Sequence, residues 1–461
     1  MKLTLITPHI GRKRADEYVH TWQMEPLPMA TLAGMTPPDV EVAYFDERIE
    51  PIDFDAPTDL AGIAVETYTA KRAYEIAAEY HRRGVRTLLG GYHVMLLPDE
   101  AARYADSILV GYAEPLWERV LRDAERGALQ PRYVQDRHEP YAFSLPRRDL
   151  FAGKPYFKLS CVETGRGCPL RCNFCSIAAA TGSTFLPRPI DSIVAELETL
   201  TNRTVFFVDD NFVSNHKRAR ELCKELIPLK LTWVGQGTLT MARDEKLLAL
   251  MAESGCVGML IGFESLNAET LLQMDKKVNT VLGEYPALVD RIHSHGISIY
   301  GTFIFGYDLE TPEDGMRTVD AAIDLGLGMG AFNHLLPFPG TPLYAQMQEE
   351  GRLTDDEWWL SPTYRYGDVS FEPRTMTGAE LHALCLRARR KFYGFPSIAR
   401  RLLAKGNRWP PRKAGAMIGI NLLLRKEIDQ KEALPLGNEP LRPVPRAAFT
   451  ELAEHAAVAV G

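Results

Sequence analysis

The chain has 461 residues, 46% of them hydrophobic and 25% charged, with 53 Lys and Arg against 60 Asp and Glu for a net charge of −7. That balance gives no reason to expect nucleic acid as a partner, and no run approaches the ~18 apolar residues that a membrane-spanning helix needs. The length suits two or three domains, and seven cysteines, an odd number, argue for a reducing cytoplasm over a disulfide framework.

The opening Met1-Lys2-Leu3-Thr4-Leu5-Ile6-Thr7-Pro8 is too short for a signal-peptide core and reads as a first strand. Short apolar runs predict further strands over 40–45, 60–65, 85–89 and 107–110. Between the runs at 60–65 and 85–89, Ala73, Ile76, Ala77 and Tyr80 recur at helical spacing and predict a crossover helix over 70–83. Alternation of this kind predicts a doubly wound parallel α/β sheet over 1–126, with ligands beyond the carboxyl ends of the strands. The loops at those ends are Glu66-Thr67-Tyr68, Gly90-Gly91-Tyr92-His93 and Gly111-Tyr112-Ala113-Glu114. Residues 127–155, with Pro131, Pro140, Pro146, Arg147, Arg148 and Asp149, read as a linker.

A second α/β series follows over 156–344. Its strands are predicted at 158–164, 204–208, 231–234, 257–261, 298–305 and 330–335, with helices at 190–200, 218–226 and 245–254 among them. Six βα units suit a partial (β/α)6 barrel whose active face lies at the carboxyl ends of the strands. From 345 to 461 the pattern is mostly helical, with a helix over 377–393. Residues 397–426 carry eight Arg or Lys and no acidic residue, and include an apolar run from Gly415 to Leu424. Two readings of that stretch stand: a basic helix pair packed on the barrel, or a peripheral contact with an anionic membrane.

The strongest chemical signal is Cys168-Pro-Leu-Arg-Cys172-Asn-Phe-Cys175. Seven cysteines scattered at random would produce that spacing with a probability on the order of 10⁻³. Three clustered thiolates suit an iron–sulfur cluster. A structural zinc normally takes four ligands, and no neighbouring residue supplies a clean fourth; Cys161 reads as strand packing. Gly165 and Gly167 let the backbone wrap a cluster. A [4Fe–4S] cluster with three protein ligands leaves one iron open.

This C-x3-C-x2-C run, with the aromatic Phe174 before its last cysteine, resembles the signature of the radical S-adenosylmethionine (SAM) enzymes. The resemblance implies that the open iron chelates SAM and that one electron releases a 5′-deoxyadenosyl radical, so the catalytic radical is borne by the cofactor. It also implies roles for the strand-end residues. Asp209 and Asp210 stand where the family meets the methionine amino group, in place of its usual Gly-Gly-Glu. Gln236 would meet the carboxylate, Glu264 and Ser265 the ribose, and Gly301 and Ile304 the adenine. The N-terminal region is similar to the cobalamin-binding domain of one subclass. Glu66, Thr67, Tyr68, Gly90, Gly91, His93, Gly111 and Glu114 would then line the corrin, without a histidine below the cobalt.

The function so implied is methylation of an unactivated carbon of a small, apolar, natural-product-like substrate, with an electron donor such as flavodoxin or ferredoxin. A non-methylating cyclase or oxidoreductase and a non-catalytic iron–sulfur or redox-sensing protein are the alternatives. His334, Tyr300, Tyr307 and Trp358-Trp359 each read either as cavity residues or as core.

Overall fold

A computed structural model describes residues 1–11, 18–136, 143–280, 285–404 and 411–438. Positions 137–142 of the expected linker, including Pro140, 405–410 of the basic stretch, and 439–461 of the expected helical C-terminal region lie outside these residues.

The chain divides into two compact units. The first comprises 1–156 with 357–366 and the stretch from 433. Its strands are β1 (Lys2–Thr7), β2 (Glu41–Asp46), β3 (Leu60–Ala64), β4 (Arg86–Gly90), β5 (Ser107–Val110) and β6 (Arg132–Val134). They pair in parallel in the order β2-β1-β3-β4-β5-β6. The order reverses between β1 and β3, the place where a doubly wound sheet opens a crevice beyond its strands. The helix Ala70–Arg82 crosses from β3 to β4 and buries the expected stripe of Ala73, Ile76, Ala77 and Tyr80. β6 lies inside the stretch expected as linker; Tyr133 is its one buried side chain, so no apolar run announces it.

The second unit comprises 157–356 and 367–432. It contains β7 (Ser160–Val162), a short antiparallel ladder of β8 (Gly165–Arg166) with β9 (Leu186–Pro187), then β10 (Thr204–Phe207), β11 (Thr232–Gly237), β12 (Cys256–Glu264), β13 (Ser298–Phe305) and β14 (Met329–His334). The six long-range strands pair in parallel as β14-β13-β12-β11-β10-β7. Each βα step therefore adds one neighbour, and β7 and β14 stay as edges of an open, partial (β/α)6 barrel.

Burial alternates along β11 to β14. Ile261, Phe263, Ile299, Phe303 and Phe332 are buried on the helix side. Gln236, Leu260, Tyr300, Thr302 and Ile304 stand half-exposed on the other face. On the helix side Phe263, Phe303 and Phe332 stack with centroids 5.4 and 5.3 Å apart. Such pairs contribute about 0.5–1.5 kcal/mol each beyond area burial. Gly301 and Gly330 leave room for this stack: a Cβ on Gly301 would stand 2.6 Å from Leu327, and one on Gly330 would stand 2.9 Å from the Phe332 ring.

Candidate active site at the carboxyl ends of the barrel strands

The loop from β7 to the helix Ser176–Thr181 carries the three cysteines. Two carboxylates at the end of β10 hold its start. The Thr164 backbone N–H donates to Asp209 Oδ1 at 2.6 Å, and the Thr164 hydroxyl donates to the other oxygen. Gly167 N–H donates to Asp210 Oδ2 at 2.8 Å. Gly167 adopts φ +79°, and a Cβ there would stand 2.3 Å from the Thr184 carbonyl, so the turn requires glycine. Burial pushes the Asp209 carboxyl up to about 7, against the pull of its two Thr164 hydrogen bonds.

All seven cysteines are free thiols. Cys175 is the N-cap of the helix Ser176–Thr181, and backbone N–H groups of Ala178 and Ile177 point at its sulfur. Asn211 donates from Nδ2 to Cys168 Sγ at 3.6 Å, while its buried Oδ1 has no hydrogen-bond partner among the described residues. Burial pushes the Cys172 thiol up to about 11; Lys276 opposes that shift, and Cys175, Glu264 and Cys168 add to it.

Lys276 is buried and its Nζ lies 2.8 Å from Glu264 Oε1. Burial works against its charge, yet Glu264 and the Cys172 sulfur outweigh that and hold its pKa above the ordinary lysine value. Room for the pair comes from Gly262, where a Cβ would stand 2.1 Å from Glu264 Oε1 and 2.9 Å from Lys276 Nζ. The β12–β13 register shifts between Gly262 and Glu264, and Glu264 takes φ +63°. A left-handed glutamate is strained backbone, and strain of this sort collects at functional sites. Asn279 Nδ2 secures the irregularity by donating to the Gly262 and Phe263 carbonyls at 3.0 and 3.1 Å. Beside it, Ser265 Oγ donates to Glu310 Oε1 at 2.6 Å. Burial pushes the Glu310 carboxyl up to about 7, and its Oε2 lacks a partner among the described residues.

The donors suit an anionic cluster: two helix N–H groups, one amide and one buried ammonium surround three thiols. Among the described residues no three His, Cys, Asp or Glu side chains converge as a single metal ion would need. A four-iron cluster instead takes its thiolates at separate corners.

Several sequence expectations change here. Asp209 is committed to Thr164 and braces the loop, so it is not free to receive an ammonium group. Ser265 is committed to Glu310. Gly301 faces the aromatic stack, because its position on β13 shares the parity of Phe303, and only Ile304 of that pair lies on the open face. Gln236 lies within β11, half-buried on the open face, and Phe174 packs at the margin of the core. Tyr307 is buried and donates to Asn173 Oδ1 at 2.9 Å, which ties the end of β13 to the cysteine loop. His334 is held by the Leu335 carbonyl at 2.8 Å, and burial pulls its pKa down to about 4. Lys276, Asn211 and Glu310 were missed. Lys276, in the polar run Asp275-Lys276-Lys277 twelve residues after Glu264, looks like a solvated surface residue until the bulge at Gly262 brings it inside.

In the first unit the called residues follow β3, β4 and β5. Glu66 caps a one-turn helix (Thr67–Thr69), and although it reaches the surface, the protein packed around it pushes its carboxyl up to about 7. Tyr68 packs edge-on to Trp358, centroids 5.5 Å apart. Gly90 ends β4, and Glu114 is half-buried. A Cβ on Gly91 would stand 2.6 Å from the Val65 carbonyl, and one on Gly111 would stand 2.7 Å from Gln135, so both glycines serve contacts within the protein. His93 is fully buried: Nδ1 lies 3.2 Å from Thr67 Oγ1 and Nε2 3.0 Å from Glu100 Oε1. Glu100 also accepts from Tyr74 Oη at 2.8 Å and Trp359 Nε1 at 3.0 Å. His93 therefore has no nitrogen left for a ligand, contrary to expectation, and the Trp358-Trp359 pair is core.

A model of the radical SAM superfamily matches residues 162–322. The chain is 31% identical over 398 residues to the bacteriochlorophyllide d C-12(1)-methyltransferase of Chlorobaculum tepidum, covering 83% of this chain and 86% of that protein. It is 26% identical to the hopanoid C-2 methylase of Rhodopseudomonas palustris, covering 72% and 66%. The fold is similar to that of the radical SAM methyltransferase TsrM of Kitasatospora setae, solved with cobalamin and a [4Fe–4S] cluster, with a TM-score of 0.61, 19% identity and coverage of 76% and 75%. No helix among the described residues is long and apolar enough to cross a membrane.

Proposed function

The chain belongs to the radical SAM superfamily, and from that premise we propose that it is a cobalamin-dependent methyltransferase acting on an sp3 carbon of an apolar, polycyclic substrate. The observation that carries the reading is the juxtaposition in the second unit: three thiols at the strand ends beside an open face bearing Leu260, Tyr300 and Ile304. The two relatives named for a tetrapyrrole and a hopanoid support the substrate class.

When bound, the cluster, SAM and cobalamin together supply the radical that takes a hydrogen atom and the methyl group that replaces it. The protein's own work is positional. Cys168, Cys172 and Cys175 would hold three irons of the cluster. Asp209 and Asp210 fix the loop that presents them, through Thr164 and Gly167. Asn211, with an orphaned Oδ1 beside Cys168, and Asp210 are the acceptors available for the methionine ammonium. Gln236 and Ile304 face the side on which the nucleoside would lie, and Glu264, anchored by Lys276 through one oxygen, keeps the other for a ribose hydroxyl. Leu260, Tyr300 and Ile304, the apolar members of the open face, would limit water around a radical formed there.

The first unit would carry cobalamin beyond β3, β4 and β5, against Glu66-Thr67-Tyr68, Gly90-Gly91 and Gly111 to Glu114. The TsrM-like fold supports this, and the commitment of His93 supports a cobalt without that imidazole below it. A flavodoxin or ferredoxin in a reducing cytoplasm would deliver the electron. The test is anaerobic turnover with methyl-deuterated SAM, a reductant and a tetrapyrrole or hopanoid acceptor. Transfer of the labelled methyl group to carbon is expected. A product that loses hydrogens without gaining the label would instead mark a cyclase or oxidoreductase.

A further inference from the structure

The second unit ends in two helices, Phe395–Leu402 and Pro411–Lys431. Two contacts fix their antiparallel pairing. The Arg425 guanidinium lies 4.7 Å from the Phe395 ring centroid, and Arg401 Nη2 donates to Asn421 Oδ1 at 2.9 Å. Arg401 is itself buried, its remaining donors spent on the Ser397 hydroxyl and the carbonyls of Leu327, Gly328 and Phe392.

The outward side of this pair is apolar. Phe395 is 63% exposed, Leu403 77%, Ile418 39% and Leu422 42%. These are four of the eight large hydrophobic side chains exposed among the described residues. The register set by Phe395 with Arg425 and Arg401 with Asn421 brings Leu403 level with the Ile418 turn, so the four form one strip. Ile418, Leu422 and exposed Lys426 follow at successive turns of one face. A Cβ added at Gly415 or Gly419 would meet nothing within 4 Å among the described residues outside the helix's own backbone, which leaves that side of the helix low and smooth.

Charge identifies the occupant. Residues 387–426 contain twelve Lys or Arg and no Asp or Glu, in a chain of net charge −7. Three exposed members, Arg390, Lys391 and Arg400, face exposed Asp429, Asp320 and Asp324, surface pairs that hold their partners weakly. An apolar strip within a locally basic segment matches a surface that is anionic outside and hydrocarbon beneath.

We infer that this helix pair docks the protein onto an anionic phospholipid bilayer, lying on the surface with Phe395, Leu403, Ile418 and Leu422 in the acyl boundary and the exposed Arg390, Lys391, Arg400 and Lys426 at the headgroups. The inference stands on surface residues alone and is independent of the chemistry proposed above.

Flotation of the full-length protein with phosphatidylcholine vesicles containing about 30% phosphatidylglycerol tests it. Binding is expected to the anionic vesicles, at least tenfold weaker to pure phosphatidylcholine, and lost in roughly 1 M salt, where the screening length falls to about 3 Å. Leu403→Ser with Leu422→Ser, and separately Lys426→Glu, should each weaken it severalfold with an unchanged thermal melt. Equal binding to both vesicle types, no binding, or full binding by the Ser variant would overturn the inference. So would a self-associated wild type in the ultracentrifuge that the Ser variant makes monomeric, since the strip would then belong to a second copy of the chain.

Discussion

The two sheets of this protein are built alike and end differently. Both are parallel, both turn on glycines beyond their strands, and both place acidic side chains there. Behind the ends of β3 and β4 in the first unit, the buried polar groups close on one another: His93, Thr67, Glu100, Tyr74 and Trp359 form one network. Behind β10 and β12 in the second unit the accounts stay open. Among the described residues Asn211 Oδ1 and Glu310 Oε2 lack partners, Glu264 is strained, and the buried Lys276 ammonium acts on the Cys172 and Cys175 thiols. Unpaired buried polar atoms are costly and uncommon in native proteins. Two of those in this protein, Asn211 Oδ1 and Glu310 Oε2, stand near the cysteine loop, where a polar ligand would complete them, while the closed network reads as scaffold.

The comparison can be broken where the cost is largest. Lys276→Met strands Glu264 as a buried carboxylate and should cost about 3–5 kcal/mol in denaturant unfolding of the apo protein. Lys276→Arg should recover part of it. A loss below ~1 kcal/mol would mean the pair is solvated rather than buried.

Glu310 makes the contrast pH-dependent. Its folded pKa of about 7 lies above the ordinary 4.5, so the folded state holds the proton more tightly than the unfolded one. Its contribution is intact below about 4.5 and is lost as pH rises towards 7. Glu310→Gln should flatten that slope and, above neutral pH, leave the apo protein up to roughly 3 kcal/mol more stable than wild type. An unchanged stability profile between those limits would contradict the assignment of a buried carboxyl raised by its surroundings.

In the closed network, His93→Leu should cost about 1–3 kcal/mol by removing one partner of Glu100. Iron content and 5′-deoxyadenosine release per folded molecule should remain at wild-type levels. Loss of release from well-folded protein would place His93 in the chemistry and erase the distinction drawn here. Gly301→Ala should cost about 1–3 kcal/mol through crowding of Leu327 and the phenylalanine stack, again with the cluster loop unaffected.

The strands of both sheets were legible because buried parallel strands are continuous apolar runs. Where reading stopped short, glycine was the reason. Gly235 and Gly237 made β11 look finished at Val234, and Gly262 made β12 look finished at Ile261, although pairing with neighbours carries both strands onward. β6 offered a single buried residue, Tyr133. The cysteine loop was legible because thiol spacing is itself the chemistry. The partners of the strand-end carboxylates were not. Asp209 meets Thr164 only through the β7–β10 register, and Glu264 meets Lys276 only through a bulge, and neither is written in local pattern.

The most direct test is to reconstitute the protein anaerobically with iron and sulfide, add SAM and a one-electron reductant, and quantify 5′-deoxyadenosine. Wild type should release it, and Cys172→Ala should release none while keeping its secondary structure. Equal release from both, or zinc in place of iron in the 168–175 loop, would contradict the account.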